Sequence, residues 1–240
     1  SVLRPDVPDG LAAGVRTATV PLPLPVLYEV WSRWGRPHVG GATGAVDLVH
    51  VTVPMRVGIG DLPMVATVHD LFPLTRPEDF TSRGARLMGA GLRWVLQHAR
   101  AVMVPSATVA AACVDHGVSG SALSVVPWGA TPTPSEPARV EAVLGRHGLG
   151  GPYVLFVGTV EPRKNLAGLL GAMARLDRPE LTLVVVGPTG WGDELDVAAA
   201  GLASPVARLG HVPTADLPAL YAGAAAFCFP SFEEGFGLPV

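Results

Sequence analysis

Apolar positions along this chain switch repeatedly between two periods. Residues 153–158 (YVLFVG) form a continuous apolar run, as expected of a strand buried on both faces. Over 166–176 the spacing becomes helical, with Leu166, Leu169, Leu170 and Met173 on one side. The run 181–187 (LTLVVVG) predicts a second buried strand, 193–202 a helix, and 206–209 and 225–229 two more strands. Before the last of these, a helix over 214–221 is predicted to open on Thr214 as N-cap, with Asp216 in its first turn. The first half has the same rhythm. Strands are predicted at 16–20, 46–51, 64–69, 101–105 and 123–126, and helices at 24–34, 82–98 and 106–116. Pro23 and Pro25 crowd the start of the first helix.

Strands alternating with helices imply βαβ units and parallel sheets, so the fold class is α/β. The stretch 131–137 (TPTPSEP) holds three prolines in seven residues and has no periodicity, which marks an interdomain linker. The expected organisation is an N-terminal domain over 1–130, a linker with a connecting helix over 131–150, and a C-terminal domain over 151–240. Ligands of such sheets bind beyond the carboxyl ends of the strands, so the residues just after each strand are the informative ones.

Composition narrows the function. At 49% hydrophobic content, 240 residues can bury a sizeable core. A net charge of -3 and sparse aromatics argue against nucleic acid as a partner. Cys113 and Cys228 lie far apart in apolar runs, which suggests two buried thiols, and neither has metal-ligand spacing. The N-terminal residues do not resemble a signal peptide, and no apolar run reaches the roughly 20 residues needed to span a bilayer. A cytoplasmic location is expected. Among the 17 basic residues there is one lysine, Lys164. An ammonium on a flexible stem suits point-charge contact with phosphate; chance survival on a solvated surface is the competing reading.

Three segments that follow strands carry chemistry. After the first strand of the second domain comes Gly158-Thr159-Val160-Glu161-Pro162-Arg163-Lys164-Asn165. Two cations beside a helix start suit a diphosphate, because backbone N–H groups and the helix dipole favour anions there; a solvated charged loop would look the same. After the last strand, Glu233 and Glu234 precede Gly235-Phe236-Gly237. Carboxylates there could accept hydrogen bonds from sugar hydroxyls, and glycines let backbone N–H groups approach a ligand. In the first domain His69 and Asp70 follow a strand. A histidine at that place can bind a hydroxyl or manage a proton, although a lone histidine is more often structural.

Taken together, these segments resemble the retaining GT-B glycosyltransferases of group 1, or family four. The resemblance rests on VATVHDLFPL (65–74), VPSATVAAACVDHGV (104–118), VVPWGATP (125–132), YVLFVGTVEPRKNLAGLLGAMARL (153–176), LTLVVVGPTGWG (181–192) and 206–240, which contains PSFEEGFGLP. The GTVEPRKN form most resembles a subgroup of bacterial mannosyl- and related transferases. The family implies two Rossmann-like domains, each a parallel sheet with flanking helices. Lys164 matches its donor-diphosphate lysine. Thr159 stands where the family usually has an arginine, and Arg163 is expected to supply that charge. Glu234 matches the first Glu of the family's Glu-x7-Glu motif, facing the donor sugar, and His69 the histidine near the transferred sugar. Gly158, Gly235, Phe236 and Gly237 match the loops at the donor. The second Glu of the motif would fall two residues past Val240, so the second domain is expected to be incomplete and the chain truncated at both ends.

The implied reaction moves a hexose from a nucleoside-diphosphate sugar to a glycan or lipid-linked acceptor with retention. Mannose is the sugar expected first, and GDP-mannose the donor. No separate cofactor is implied. No Asp-x-Asp metal site is apparent, so His69, Lys164, Arg163 and Glu234 would carry catalysis without a metal. Arg83, Arg86, Arg93 and Arg100 recur at near-helical spacing. They could meet anionic lipid at the inner face of the membrane, or form a solvated helix face. An incomplete parallel sheet would expose strand edges, so self-association is an expected hazard. Two other readings stay open: a non-catalytic nucleotide-sugar-binding fragment or partner, and a GT-B sugar-nucleotide epimerase.

Overall fold

The computed structural model describes residues 15–129, 133–188 and 202–239. The chain divides into two compact units, Ser1–Pro127 and Trp128–Val240.

In the first unit the order is α1 (Leu24–Trp34), α2 (Gly40–Thr43), β1 (Val49–Val51), β2 (Met64–Thr67), α3 (Phe72–Thr75), α4 (Ser82–His98), β3 (Ala101–Val104), α5 (Ala107–Asp115) and β4 (Leu123–Val125). The four strands pair in parallel in the order β1-β2-β3-β4. Met64 and Ala66 of β2 and Val102 and Val104 of β3 pack against Leu92 and Val95 of α4 and Val109 and Cys113 of α5. Burial pushes the Cys113 thiol up to about 11, so this cysteine behaves as a small apolar core residue. Cys228, by contrast, is only half-buried.

The helix boundaries follow from local chemistry. Thr81 caps α4 by accepting from Gly84 N, and Ser106 caps α5 by accepting from Val109 N. The prolines at the start of α1 are accommodated: Pro23 is the N-cap and Pro25 lies in the first turn, where no N–H is needed. The strand expected at 16–20 does not form. Residues 15–22 are irregular and mostly exposed, because Arg16, Thr17 and Thr19 offer no apolar face and Pro21 follows at once.

The second unit runs α6 (Pro137–Arg146), β5 (Tyr153–Val157), α7 (Leu166–Leu176), β6 (Thr182–Val186), β7 (Val206–Gly210), α8 (Leu217–Gly223) and β8 (Ala226–Phe227). A 3₁₀ turn, Pro162–Lys164, precedes α7. The sheet is parallel in the order β7-β6-β5-β8. Its two central strands are buried on both faces, as their unbroken apolar runs demand. Val154, Phe156, Leu183 and Val185 face α7 through Leu166, Leu169, Leu170 and Met173. The alternate residues Tyr153, Leu155, Val184 and Val186 pack with Val143 of α6 and Ala219 and Leu220 of α8. Tyr153 donates its hydroxyl to the Leu220 carbonyl at 2.6 Å, and burial raises its pKa to about 12.

The helix expected at 214–221 begins later. Thr214–Asp216 forms a 3₁₀ turn, α8 starts at Leu217, and Thr214 makes no side-chain cap. Asp216 is buried, and its Oδ1 accepts from Arg139 at 2.8 Å and Arg146 at 2.9 Å. That pull toward α6 leaves Asp216 at the N-cap of α8 rather than in the first turn, where it was expected. The helix expected at 193–202 lies outside the described residues, apart from Leu202, which is irregular. Among the described residues no helix is long and apolar enough to cross a membrane, and no group of His, Cys, Asp and Glu could hold a metal ion.

Candidate functional site

The strand order of the second sheet fixes where a ligand can sit. From β5 the chain moves outward through β6 to β7, then returns to β8 on the other side of β5. Strand β5 therefore lies between β6, which follows it in the chain, and β8, which is reached only after β7, and ligands of such open sheets bind beyond the carboxyl ends of the strands at this kind of reversal. The two charged segments singled out from sequence leave those two strand ends: residues 158–165 follow β5, and residues 228–237 follow β8.

They meet through one carboxylate. Lys164 Nζ lies 2.7 Å from Glu234 Oε1, and Arg163 Nη1 lies 2.9 Å from the same oxygen. Arg163 Nη2 pairs with Glu161 Oε1 at 2.6 Å, and its Nη1 also donates to the Glu233 carbonyl at 2.8 Å. Lys164 is only 9% exposed, which disposes of the solvated-surface reading. A lysine this buried needs a partner. Besides Glu234 it has the ring of Phe229, whose centroid lies 4.6 Å from Nζ.

The backbone holds this arrangement. Asn165 is left-handed at φ 53°, a conformation asparagine tolerates better than most residues. Its Oδ1 caps α7 by accepting from Gly168 N, and its Nδ2 donates to the Pro230 carbonyl at 3.1 Å. Phe232 N donates to the Arg163 carbonyl at 3.0 Å, a second tie between the loops. Gly187, at the end of β6, has φ 134°, and a Cβ there would meet Gly158 O at 2.1 Å. Only glycine lets the two strand ends come this close.

The electrostatics favour ionised Glu234. Burial raises its pKa, but the hydrogen bond from Lys164, the neighbouring Ser231 hydroxyl and the charges of Arg163 and Lys164 outweigh it, so the net shift is downward. Ser231 Oγ is buried beside that carboxylate.

Of the residues expected at the site, the fold brings together Lys164, Arg163 and Glu234. Gly158 and Thr159 lie half-buried directly after β5. Gly235 is half-buried, Phe236 is exposed, and Gly237 adopts φ 93°, all on the loop after β8. His69 belongs to the first unit. It follows β2, and its Nε2 lies 3.1 Å from the Thr52 carbonyl. A carbonyl only accepts, so Nε2 carries the proton. Asp70 turns back to accept from Phe72 N at the start of α3. Arg83, Arg86, Arg93 and Arg100 are all exposed, and Arg83 pairs with Glu29 at 2.9 Å.

Sequence reasoning did not assign Glu161, Asn165, Phe229 or Ser231 to the site. The first two stand inside the GTVEPRKN segment, so their position was a signal. Ser231 likewise stands inside PSFEEGFGLP, whereas nothing local marks Phe229, which matters only because β8 lies beside β5.

Residues 2–133 match the family model Glycosyltransferase Family 4, and residues 145–240 match Glycosyl transferases group 1. The chain is 33% identical over 186 residues to the O-antigen chain mannosyltransferase B of Escherichia coli, covering 73% of this chain and 49% of that protein. It is 30% identical over 198 residues to the 2-deoxystreptamine glucosyltransferase of Streptomyces kanamyceticus, covering 77% and 51%. The chain thus spans about half the length of these curated relatives. HepE of Anabaena, solved in complex with UDP-glucose, superposes with a TM-score of 0.60 at 22% identity, covering 74% of this chain and 49% of that one. The fold shared with such neighbours is GT-B.

Proposed function

Because this chain belongs to the family-4 glycosyltransferases, we propose that it serves in transferring a hexose from a nucleoside-diphosphate sugar to a glycan or lipid-linked hydroxyl, with retention. The observation that carries the reading is the convergence of Lys164 and Arg163 on one oxygen at the β5/β8 switch point. Mannose, from GDP-mannose, is the first sugar to test. A mannosyltransferase stands among the relatives, and a glucosyltransferase beside it makes glucose the second.

The chemistry follows from charge. As the glycosidic bond to the diphosphate breaks, the sugar becomes oxocarbenium-like and the leaving diphosphate gains negative charge. Lys164 and Arg163, together with the N-terminus of α7, stabilise that charge. Fixed cations in a water-poor crevice act strongly because they need no reorganisation as the charge develops. Glu234 orients the sugar through its hydroxyls, and Gly158, Thr159, Gly235, Phe236 and Gly237 shape the loops around the donor. His69, just after β2 of the first unit, is a further catalytic candidate. Exposed Arg86 and Arg93 on α4 offer contact to anionic head groups if the acceptor is carried on a lipid, which would place the protein at the inner face of the membrane.

Thermal-shift titration with GDP, UDP, dTDP and their sugars tests the reading. A nucleotide at about 100 times its dissociation constant should stabilise the fold by about 2.7 kcal/mol. Lys164→Ala should abolish the shift. If no nucleotide shifts the wild type, the donor reading is wrong for this chain. If a nucleotide sugar is consumed without an acceptor and its sugar comes back epimerised, transfer is the wrong reaction.

A further inference from the structure

The cations after β5 have two acidic partners, attached in different ways. Glu161 sits two residues before Arg163, on the same short loop, and holds Nη2 at 2.6 Å. Glu234 is 70 residues away in sequence and reaches Lys164 and Arg163 from the loop after β8. Its Oε1 stands at the focus of Lys164 Nζ and Arg163 Nη1, where a phosphate oxygen would be equally well received.

We propose that Glu161 is a positioning residue for the donor diphosphate, holding Arg163 so that Nη1 keeps its focus with Lys164, while Glu234 is an exchangeable counter-ion whose place a diphosphate oxygen takes. The proposal rests on the donor reading above.

Charge balance supplies the reason. Within the cluster two cations and two carboxylates balance in charge. Leaving Lys164 and Arg163 buried without an anion would be costly. Exchanging Glu234 for diphosphate keeps both cations paired throughout and frees the carboxylate to turn toward sugar hydroxyls. Ser231 Oγ, buried beside Glu234, can still donate to that carboxylate once the cations are taken. Glu161 need not move, because its hold on Arg163 is independent of the β8 loop.

Calorimetric titration of the full chain with GDP, UDP and dTDP separates the roles. Glu161→Gln and Glu234→Gln each remove one negative charge, so a simple field effect would tighten binding in both. The proposal expects opposite signs. Glu234→Gln should bind the nucleotide about fivefold tighter, because no counter-ion has to leave. Glu161→Gln should bind about tenfold weaker, because Arg163 loses its orientation. Glu161→Asp should recover part of the loss. In an Arg163→Ala background Glu161→Gln should change nothing further, whereas a merely structural role for Glu161 would still add its effect there. Unchanged or tighter binding by Glu161→Gln overturns the positioning role, and unchanged or weaker binding by Glu234→Gln overturns the counter-ion role. Thermal midpoints report folding. If Glu161→Gln does not fold, Glu161→Asp decides, and wild-type affinity in it would overturn the positioning role. Failure of the donor reading looks different: neither wild type nor any variant binds a nucleotide, and this proposal falls with it.

Discussion

Lys164 shows how one side chain joins sequence, packing and function. It is nearly buried, paired with Glu234 at 2.7 Å and seated over Phe229. A guanidinium has a different shape and hydration, so Lys164→Arg should fold and still lose most of the nucleotide-induced shift in thermal titration. Glu234 adds a pH dependence. Its carboxyl is held below the ordinary 4.5, so the folded protein takes up that proton less readily than the unfolded chain. The stability from its ion pairs is therefore fully present above pH 4.5 and lost as pH falls through the lowered folded-state value. Thermal midpoints of wild type and Glu234→Gln, compared from pH 7 downward, should differ most at neutral pH and converge in acid. A gap that widens in acid would refute the pairing as the source.

At the scale of elements, two features position the site from a distance. Gly187→Ala would push a Cβ to 2.1 Å from Gly158 O and force the ends of β5 and β6 apart. The expected cost is about 1–3 kcal/mol of stability, together with weaker nucleotide binding, because residues 158–165 hang from that strand end. Calorimetry and nucleotide titration on the same sample would check both. The second feature is the clasp of α6 to the turn before α8. Asp216→Ala leaves Arg139 and Arg146 without their acid, and both are about half exposed. Water can solvate them, so the loss should be about 1–3 kcal/mol, mostly from the emptied position of Asp216. Either arginine replaced alone should cost less, since the other keeps the carboxylate paired. The 214–221 segment shows why such a clasp escapes sequence reasoning. Thr214 and Asp216 fit a capping pattern, but the cations that capture Asp216 lie some 70 residues away.

At the scale of the whole molecule, each unit carries its own core. Leu92, Val95 and the β2–β3 side chains close the first, and Phe156, Leu170 and Leu183 belong to the second. Leu92→Ala and Phe156→Ala should each cost about 2–5 kcal/mol. In denaturant unfolding each should lower a different transition; one shared transition moved equally by both would contradict separate cores.

What the sequence determined by itself was local. Long unbroken apolar runs such as 153–158 and 181–187 could only be buried strands, and the helical spacing of 166–176 could only be a helix, because period is set within a few residues. The GTVEPRKN and PSFEEGFGLP segments also named Lys164 and Glu234 as candidates. Weakly patterned stretches misled: 16–20 has no apolar face, and Thr214 only imitates a cap. Tertiary structure alone decided that β8 pairs with β5 on the side away from β6. That choice depends on which strand edges and helix faces bury together, and it sets Glu234 against Lys164 and Arg163 and buries the Ser231 hydroxyl beside them.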